Sequence, residues 1–310
     1  MAAKLWIDTD IGDDIDDALA IRYALAAGCE ITGISTVFRN AKRRAQITKA
    51  LIRTCGKAEI PVYAGTDSPL VAYIPVFEED AAQSGDFVPC QYLSGMEQEC
   101  YEAGHGVDAL LDAVRAQPGE ITLVPIGPLT NIALAIRKEP ETMRQLKGIT
   151  LMGGCFAKKF PEWNIRCDPE AARIVFTSGI PLRAVGTDVT GQCKLDGSFA
   201  QQLRQRPDAA SALLAEMLER WCKASPFGGG PVLHDPLAIG TLVSGAFAGF
   251  APQTVRVELG ESKYGLTSIV DPNEIDPDEP DALYAVQEID VAQTADGAAF
   301  VRDFLKKLEM

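Results

Sequence analysis

Short apolar runs alternate with segments of helical periodicity along most of the chain, and no other feature constrains the fold as strongly. "KLWID" precedes "DDALAIRYALAAG", "ITGISTVF" precedes "AKRRAQITKALIRTCG", and "ITLVPIG" precedes "LTNIALAIRKEP". The same order returns in "GITLMGG" before "DPEAARIVFTSG" and in "PLRAVG" before "DGSFAQQLRQ". Repeated strand–helix units are typical of parallel strands joined by crossover helices. The sequence therefore predicts an α/β fold with a mostly parallel central sheet flanked by helices.

The alternation weakens in two places. Residues 66–104 have weak periodicity and several turn residues, which predicts an insertion or a flap there. After about residue 250, "TVRVELG" and "YAVQEIDV" are typical of strands and "ADGAAFVRDFLKKLEM" of a closing helix. We therefore expect a smaller C-terminal extension over 250–310. With 310 residues and 47% hydrophobic content, the chain can bury one full core, so we predict a single domain over 1–310.

Charge, hydropathy and cysteine usage indicate which partners and which cellular compartment to expect. The formal net charge is −14, whereas nucleic-acid affinity comes mainly from Lys and Arg that neutralise phosphates, so we expect no nucleic acid partner. No stretch reaches the roughly 18 consecutive apolar residues of a membrane span, and the N-terminus does not resemble a signal peptide. Eight cysteines are scattered without a CxxC pair, which favours reduced thiols. We expect a cytoplasmic protein with no membrane partner.

The first apolar run ends in a cluster of six aspartates: Asp8, Asp10, Asp13, Asp14, Asp16 and Asp17. Asp8 and Asp10 project to the same side of an extended strand, and Asp16 and Asp17 open a helix, where carboxylates cap free N–H groups. Capping does not explain Asp8 and Asp10, which lie at the end of a buried strand. Like charges this close together raise each other's pKa unless a cation lies between them. Carboxylates without His or Cys ligands favour Ca²⁺ or Mg²⁺. The cluster predicts a hard divalent cation, and a solvated, capped turn is the alternative.

Two familiar acidic motifs do not match the spacing. An EF-hand loop starting at Asp8 would place Asp13 where glycine is needed and Leu19 where the bidentate Glu is needed. The DxDx[TV] pattern of phosphotransferases would place Gly12 where Thr or Val belongs. A metal site built from Asp10, Asp17 and a distant residue remains.

Six segments then carry a resemblance to a known family. They are, in order, "DTDIGDDIDDALA", "VPIGPLTNIALA", "LMGG", "EWNIRCDPEAARIVF", "DVT" and "GGPVLHDPLAIG". In this order they resemble the inosine-uridine preferring nucleoside hydrolases, over roughly residues 4–240. The resemblance implies hydrolysis of the N-glycosidic bond of ribonucleosides to free base and ribose in purine or pyrimidine salvage. It also implies a tightly held Ca²⁺ and a homo-oligomeric assembly, either a homodimer or a homotetramer.

The resemblance implies roles for the metal ligands and the reacting groups. Asp10 would be both a calcium ligand and the general base that deprotonates the calcium-bound water. Asp17, the backbone carbonyl of Ile126 and Asp235 would complete the protein's ligands. His234 would serve the leaving base. Ca²⁺ binds roughly six to eight oxygens and lowers the pKa of water, and a negative pocket stabilises an oxocarbenium-like ribose.

The substrate contacts implied by the resemblance come from six further residues: Asp16, Asn40, His105, Met152, Glu162 and Asn164. Asp16, Asn40, Glu162 and Asn164 would bind sugar hydroxyls, and Met152 would pack against the ribose. His105 matches a second histidine of pyrimidine-preferring members, although "GHG" is equally a turn before a helix.

The chain departs from the family pattern in two motifs. The acidic motif is two residues longer than its shorter form, which leaves Asp13 and Asp14 without a family role. The segment "CFAKKFP" lacks an Asn that contacts the ribose 5′-hydroxyl. Lys158 or Lys159 in that space would suit a 5′-modified or anionic substrate, and a solvated lysine pair is the alternative.

Two other functions stay open at this stage. One is a metal-dependent phosphohydrolase. The other is a catalytically impaired nucleoside- or ribose-binding protein of the same fold. The preferred base does not follow from the sequence.

Overall fold

The computed structural model describes residues 3–71, 87–224, 230–275 and 285–309. These residues form one sheet of nine strands in the order β3-β2-β1-β4-β5-β6-β9-β7-β8. The strands are β1 (Lys4–Thr9), β2 (Glu30–Thr36), β3 (Val62–Ala64), β4 (Ile121–Pro125), β5 (Gly148–Met152), β6 (Leu182–Val185), β7 (Ala248–Val257), β8 (Thr267–Ile269) and β9 (Val286–Ala295). Strands β1 to β6 and β9 pair in parallel, whereas β7 is antiparallel to both β8 and β9. The predicted α/β fold with a mostly parallel sheet is confirmed.

Helices connect the strands and cover both faces of the sheet. They are α1 (Asp16–Ala26), α2 (Ala41–Thr54), α3 (Gly106–Ala116), α4 (Thr130–Lys138), α5 (Pro140–Met143), α6 (Trp163–Cys167), α7 (Pro169–Phe176), α8 (Thr187–Thr190), α9 (Phe199–Arg204), α10 (Ala209–Ala224), α11 (His234–Val243) and α12 (Gly297–Lys307). None of the helices in the described ranges is long and apolar enough to cross a membrane.

The central strands are buried on both sides, as expected when helices cover both faces of a parallel sheet. Along β1, Leu5 and Ile7 contact one apolar cluster, and Trp6 contacts the other. The alternation follows from the two-residue period of a strand. It explains why "KLWID" is apolar throughout and does not alternate with polar residues.

The C-terminal part continues the same sheet. The predicted strands correspond to β7 and β9, and the predicted closing helix to α12. Strand β9 lies between β6 and β7, so the chain crosses back to insert its last strand beside the parallel set.

The described part of the predicted insertion packs on the acidic loop after β1. The backbone N–H of Gln91 donates to the carbonyl of Gly12 at 3.0 Å, and its side-chain amide donates to the carbonyl of Asp14 at 2.6 Å. Gly12 has a φ of +127°, and a Cβ there would lie 2.6 Å from the Pro89 Cβ. Residues 87–104 therefore hold the acidic loop from outside. The rest of the predicted flap, 72–86, lies outside the described residues.

Candidate active site

A cavity of about 650 Å³ opens at the carboxyl ends of the parallel strands. This is where open α/β sheets bind ligands, and the volume is in the usual range of roughly 300–1,000 Å³ for small-molecule sites. Its lining includes seven acidic residues, namely Asp10, Asp13, Asp14, Asp16, Asp17, Glu162 and Asp235. The acids come from distant parts of the chain, so the fold itself concentrates the negative charge.

Three of these carboxylates form a group that could hold a metal ion. Asp16, Asp17 and Asp235 are buried, and one ligand atom from each lies within 4.8 Å of the others. Asp16 and Asp17 open α1, and Asp235 lies in the first turn of α11, which packs against α1. Two contacts orient the group: Thr9 Oγ1 donates to Asp17 Oδ1 at 2.5 Å, and the N–H of Asp235 donates to Asp16 Oδ2 at 3.3 Å.

The electrostatics of the group favour a cation. Burial and the proximity of the other acids raise the pKa of Asp16, Asp17 and Asp235 well above the usual range. Burial raises the pKa of Asp10 to about 7, although the Arg44 guanidinium opposes this. A divalent cation among these oxygens would compensate the repulsion, and an all-oxygen set suits Ca²⁺ or Mg²⁺. The residues present therefore fit the predicted calcium ion.

The observed group differs from the predicted ligand set in one position. Asp17 and Asp235 belong to both. The third carboxylate in the group is Asp16, which the resemblance assigned to the ribose. Asp10 lines the same cavity and interacts electrostatically with all three.

A fully buried arginine supports Asp10. Arg44 donates to the backbone carbonyls of Asp10 and Ile11, to the carbonyl of Phe38 at 2.8 Å, and to Asp13 Oδ2 at 2.8 Å. Asp13, which had no role by resemblance, is thus the counterion of Arg44. Sequence reasoning missed Arg44, and the available signal was an arginine one helical turn from both Ala41 and Ile47, which lie on the buried face of α2 together with Thr48 and Lys49.

Asp14 and Asp8 have separate local roles. Asp14 is exposed at the cavity, and its Oδ1 accepts from the N–H of Ile15 at 2.6 Å, just before α1. Asp8 is buried under the site, where its Oδ1 accepts from Ser35 and from Asn131, the latter at 2.8 Å. Burial raises the pKa of Asp8 to about 7. Asp8 joins β1 to β2 and α4.

The predicted sugar-binding residues after β5 line the cavity. The Glu162 carboxylate accepts from the N–H groups of Gly154 and Asn164, each at 3.0 Å, and so caps α6. The Asn164 amide donates to the carbonyls of Ile126 at 3.1 Å and Met152 at 3.2 Å. Glu162, Asn164, Ile126 and Met152 therefore form one hydrogen-bonded wall.

His234 lies at the start of α11, directly before Asp235, and lines the cavity. Its Nδ1 is 2.6 Å from Thr190 Oγ1. Burial, with a smaller effect from Lys194, lowers the pKa of His234 to about 4. The imidazole is therefore neutral near pH 7 and can donate one hydrogen bond to a ligand.

Comparison with known proteins decides the family. The sequence pattern described as "Inosine-uridine preferring nucleoside hydrolase" matches residues 5–301. The chain belongs to this nucleoside hydrolase family. The pyrimidine-specific ribonucleoside hydrolase RihB of Escherichia coli is 34% identical over 252 residues, which are 78% of each chain. An uncharacterized protein of Schizosaccharomyces pombe is 36% identical over 247 residues, covering 75% of this chain and 77% of the relative.

Solved structures of nucleoside hydrolases superpose over almost the whole chain. A plant nucleoside hydrolase has a TM-score of 0.83 at 26% identity and covers 99% of both chains. A purine-preferring ribonucleoside hydrolase from Gardnerella vaginalis has a TM-score of 0.81 at 28% identity and covers 98% of both. The resemblance stated from the six motifs is confirmed at the level of family and fold.

Two residues expected to contact the substrate of a nucleoside hydrolase do not line the cavity formed by the described chain. Asn40 caps α2, accepting from the N–H of Arg43 at 3.1 Å and donating to the carbonyl of Phe87 at 3.0 Å. His105 is exposed and caps α3, with its Nδ1 accepting from the N–H of Val107 at 3.3 Å. Capping therefore accounts for their present positions, and their substrate contacts stay predictions.

The charged and aromatic residues around the cavity also differ from expectation. Lys158 and Lys159 are exposed and do not line it, whereas Arg39 and Arg166 do. Among the described residues, four aromatic side chains line the cavity: Phe87, Phe160, Trp163 and Trp221. Their positions could not be inferred from the sequence. These side chains provide flat apolar surface against which a nucleobase can pack.

Proposed function

We propose that this protein hydrolyses the N-glycosidic bond of ribonucleosides to free base and ribose with a bound Ca²⁺. The observation that carries the proposal is a single cavity that holds the Asp16, Asp17 and Asp235 group together with Asp10 and His234. Family membership supports the same reaction class. The cavity size and aromatic lining suit a nucleoside.

The cation would be held by oxygen atoms already gathered at this edge of the sheet. The residues that would hold it are Asp10, Asp17, Asp235 and the Ile126 carbonyl, with Asp16 beside them. When bound, Ca²⁺ supplies positive charge that holds a water molecule and lowers its pKa.

Asp10 then acts as the general base. Its carboxylate takes a proton from the attacking water, whose oxygen bonds to the ribose C1′ while the bond from C1′ to the base nitrogen breaks. The electron pair of that bond leaves on the base. The carboxylates around C1′ stabilise the positive charge that develops on the sugar.

His234 acts on the leaving group. Its neutral ring donates a hydrogen bond from Nε2 to the base, which carries the electron pair of the broken bond. The proton that the base finally gains balances the one released by the water.

The remaining contacts orient the sugar. Asp16, Glu162 and Asn164 offer side-chain oxygens to the ribose hydroxyls, and Met152 packs against the ring. These contacts raise the reaction rate because they hold C1′ in line with the attacking water. Asn40 and His105 would contact the substrate only if substrate binding moved their segments to the cavity.

The direct test is a panel of purine and pyrimidine ribonucleosides with separate assays for base and ribose. We expect equal amounts of base and ribose, loss of activity with a calcium chelator, and recovery on adding Ca²⁺. Asp10→Asn should lower kcat by roughly 10²–10⁴-fold, whereas the exposed Asp112→Asn is the control and should leave it unchanged. No sugar release with Ca²⁺ shown to be bound would contradict the proposal.

The same panel, with phosphate esters added, separates the alternatives. A phosphohydrolase would release phosphate from phosphate esters and leave nucleosides intact. A binding protein would bind nucleosides without turnover. Because the relatives include a pyrimidine-specific and a purine-preferring enzyme, the panel also assigns the preferred base.

We also propose that the enzyme works in the cytoplasm as a homodimer or a homotetramer. All eight cysteines are free thiols, which is consistent with a reducing compartment. Light scattering coupled to gel filtration measures the assembly: a mass of one chain would exclude an oligomer.

A further inference from the structure

Thr190, the last residue of the "DVT" motif, has no role in the reaction described so far. It ends the short helix α8, is fully buried, and does not line the cavity. Its Oγ1 nevertheless lies 2.6 Å from Nδ1 of His234, whose ring does line the cavity. The motif therefore reaches the reaction site through the histidine.

The backbone around Thr190 fixes this contact from both sides. The N–H of Cys193 donates to the Thr190 carbonyl at 2.9 Å, and the N–H of Leu233 donates to the Cys193 carbonyl at 2.7 Å. Beyond them, Lys194 bridges Val232 in an antiparallel pair. The segment that follows α8 is thus bonded to the segment that precedes His234, and the distance between hydroxyl and ring depends on backbone that cannot shift easily.

Burial of Thr190 favours one direction for the bond, because a ring that donated from Nδ1 would leave the hydroxyl hydrogen without an acceptor among the described residues. Among the described residues, Thr190 Oγ1 makes no other hydrogen bond. A hydroxyl carries one hydrogen, and a neutral imidazole has one nitrogen with a lone pair and one with a hydrogen. When the hydroxyl donates to Nδ1, the ring hydrogen is on Nε2, the nitrogen that Thr190 does not contact.

We propose that Thr190 is a positioning residue that holds the His234 ring in the Nε2–H tautomer, so that the ring donates to the departing base. This role rests on the proposed nucleoside hydrolysis. Without the hydroxyl, the ring is free to take the other tautomer or to rotate. A partner on the far nitrogen commonly fixes the tautomer of a functional histidine in this way.

Two leaving groups test the proposal. A nucleoside needs help for its departing base, whereas 4-nitrophenyl β-D-ribofuranoside releases a phenolate that leaves without protonation. Thr190→Val removes the hydroxyl at nearly constant volume, and Thr190→Ser keeps it. We expect Thr190→Val to lower kcat on nucleosides by about 10- to 100-fold, and Thr190→Ser to stay within about threefold of wild type.

Activity on the nitrophenyl riboside should be unchanged in both variants. The double variant Thr190→Val/His234→Ala should be no slower on nucleosides than His234→Ala alone, because Thr190 acts through the ring. Equal losses on both substrates in Thr190→Val, or no loss on nucleosides, would overturn the role.

A measurement on the wild-type protein tests the role of Thr190 even if the variants fail to fold. The ¹⁵N shifts of the His234 ring near pH 7 should report the Nε2–H tautomer, and an Nδ1–H tautomer would overturn the proposal. If wild type cleaves the nitrophenyl riboside and nucleosides but the tautomer is wrong, only the role of Thr190 fails. If it cleaves neither substrate, the proposed function fails and this role with it.

Discussion

At the scale of single residues, Arg44 is the side chain on which the acidic loop depends. It is fully buried and donates to three backbone carbonyls as well as to Asp13. The two residues by which the loop exceeds the shorter family motif include an acid that pairs with this arginine. The additional charge is therefore balanced inside the protein and does not all face the substrate.

Arg44→Met should destabilise the fold and displace Asp10. The substitution leaves the carbonyls of Asp10, Ile11 and Phe38 without their donor, so we expect a loss of about 3 kcal/mol in the free energy of unfolding. Urea denaturation measures the loss. Lys42→Met, on the exposed side of the same helix, is the control, and an equal effect in both variants would refute the role of Arg44.

The sequence could predict the residues that meet at the cavity only where a motif fixed their positions. Asp10, Asp17, Ile126, Asp235 and His234 all line it, as the order of the motifs implied. The pairing of Asp13 with Arg44 depends on packing between residues 31 positions apart, and no local pattern reports that.

At the scale of elements, the site depends on a close approach between the end of β1 and the loop after β4. A Cβ at Gly127 would lie 2.7 Å from Asp10 Oδ1 and 2.8 Å from its backbone nitrogen. Only a residue without a side chain allows this loop to approach Asp10 so closely.

Gly127→Ala should therefore displace the proposed general base. We expect kcat on nucleosides to fall by about tenfold or more, because small displacements at a reacting centre are costly. Gly245→Ala is the matched control, since nothing lies within 4 Å of a Cβ there. Steady-state kinetics of both variants provide the measurement, and unchanged kcat in Gly127→Ala would rule out the close approach as a constraint.

The strand–helix alternation was sufficient to predict the parallel part of the sheet but not the position of its last strand, β9. Five predicted strand–helix units correspond to β1, β2, β4, β5 and β6 with the helices after them. The insertion of β9 between β6 and β7 follows from long-range packing that periodicity does not encode. For Asn40 and His105, the resemblance gave a substrate role, whereas local chemistry made both helix caps.

At the scale of the whole molecule, the net charge of −14 is partly concentrated in one buried group. In the metal-free protein these carboxyls have raised pKa values, so folding takes up protons. Their contribution to stability is fully present below about pH 4, the ordinary range of a carboxyl pKa, and is lost as the pH rises through their raised pKa values; the pKa of the neighbouring Asp10 is raised to about 7. A cation binds the deprotonated form and reverses this loss.

The stabilisation by Ca²⁺ should consequently grow with pH. We expect the difference in Tm between calcium-loaded and chelator-treated protein to be larger at pH 8 than at pH 5. Thermal unfolding at both pH values gives the comparison, with Asp17→Asn/Asp235→Asn as the variant that should lose most of the difference. A difference that is constant or reversed with pH would contradict a cation held by these acids.

In the proposed reaction, a water molecule deprotonated by Asp10 attacks C1′ of a ribonucleoside directly. Proton NMR of wild-type protein, Ca²⁺ and a cleavable ribonucleoside follows base, ribose and the first-formed anomer in one sample. Direct attack predicts equal base and ribose, with α-ribose formed first by inversion of the β-nucleoside. β-Ribose formed first would indicate a covalent sugar intermediate, and no ribose from any nucleoside would contradict the account as a whole.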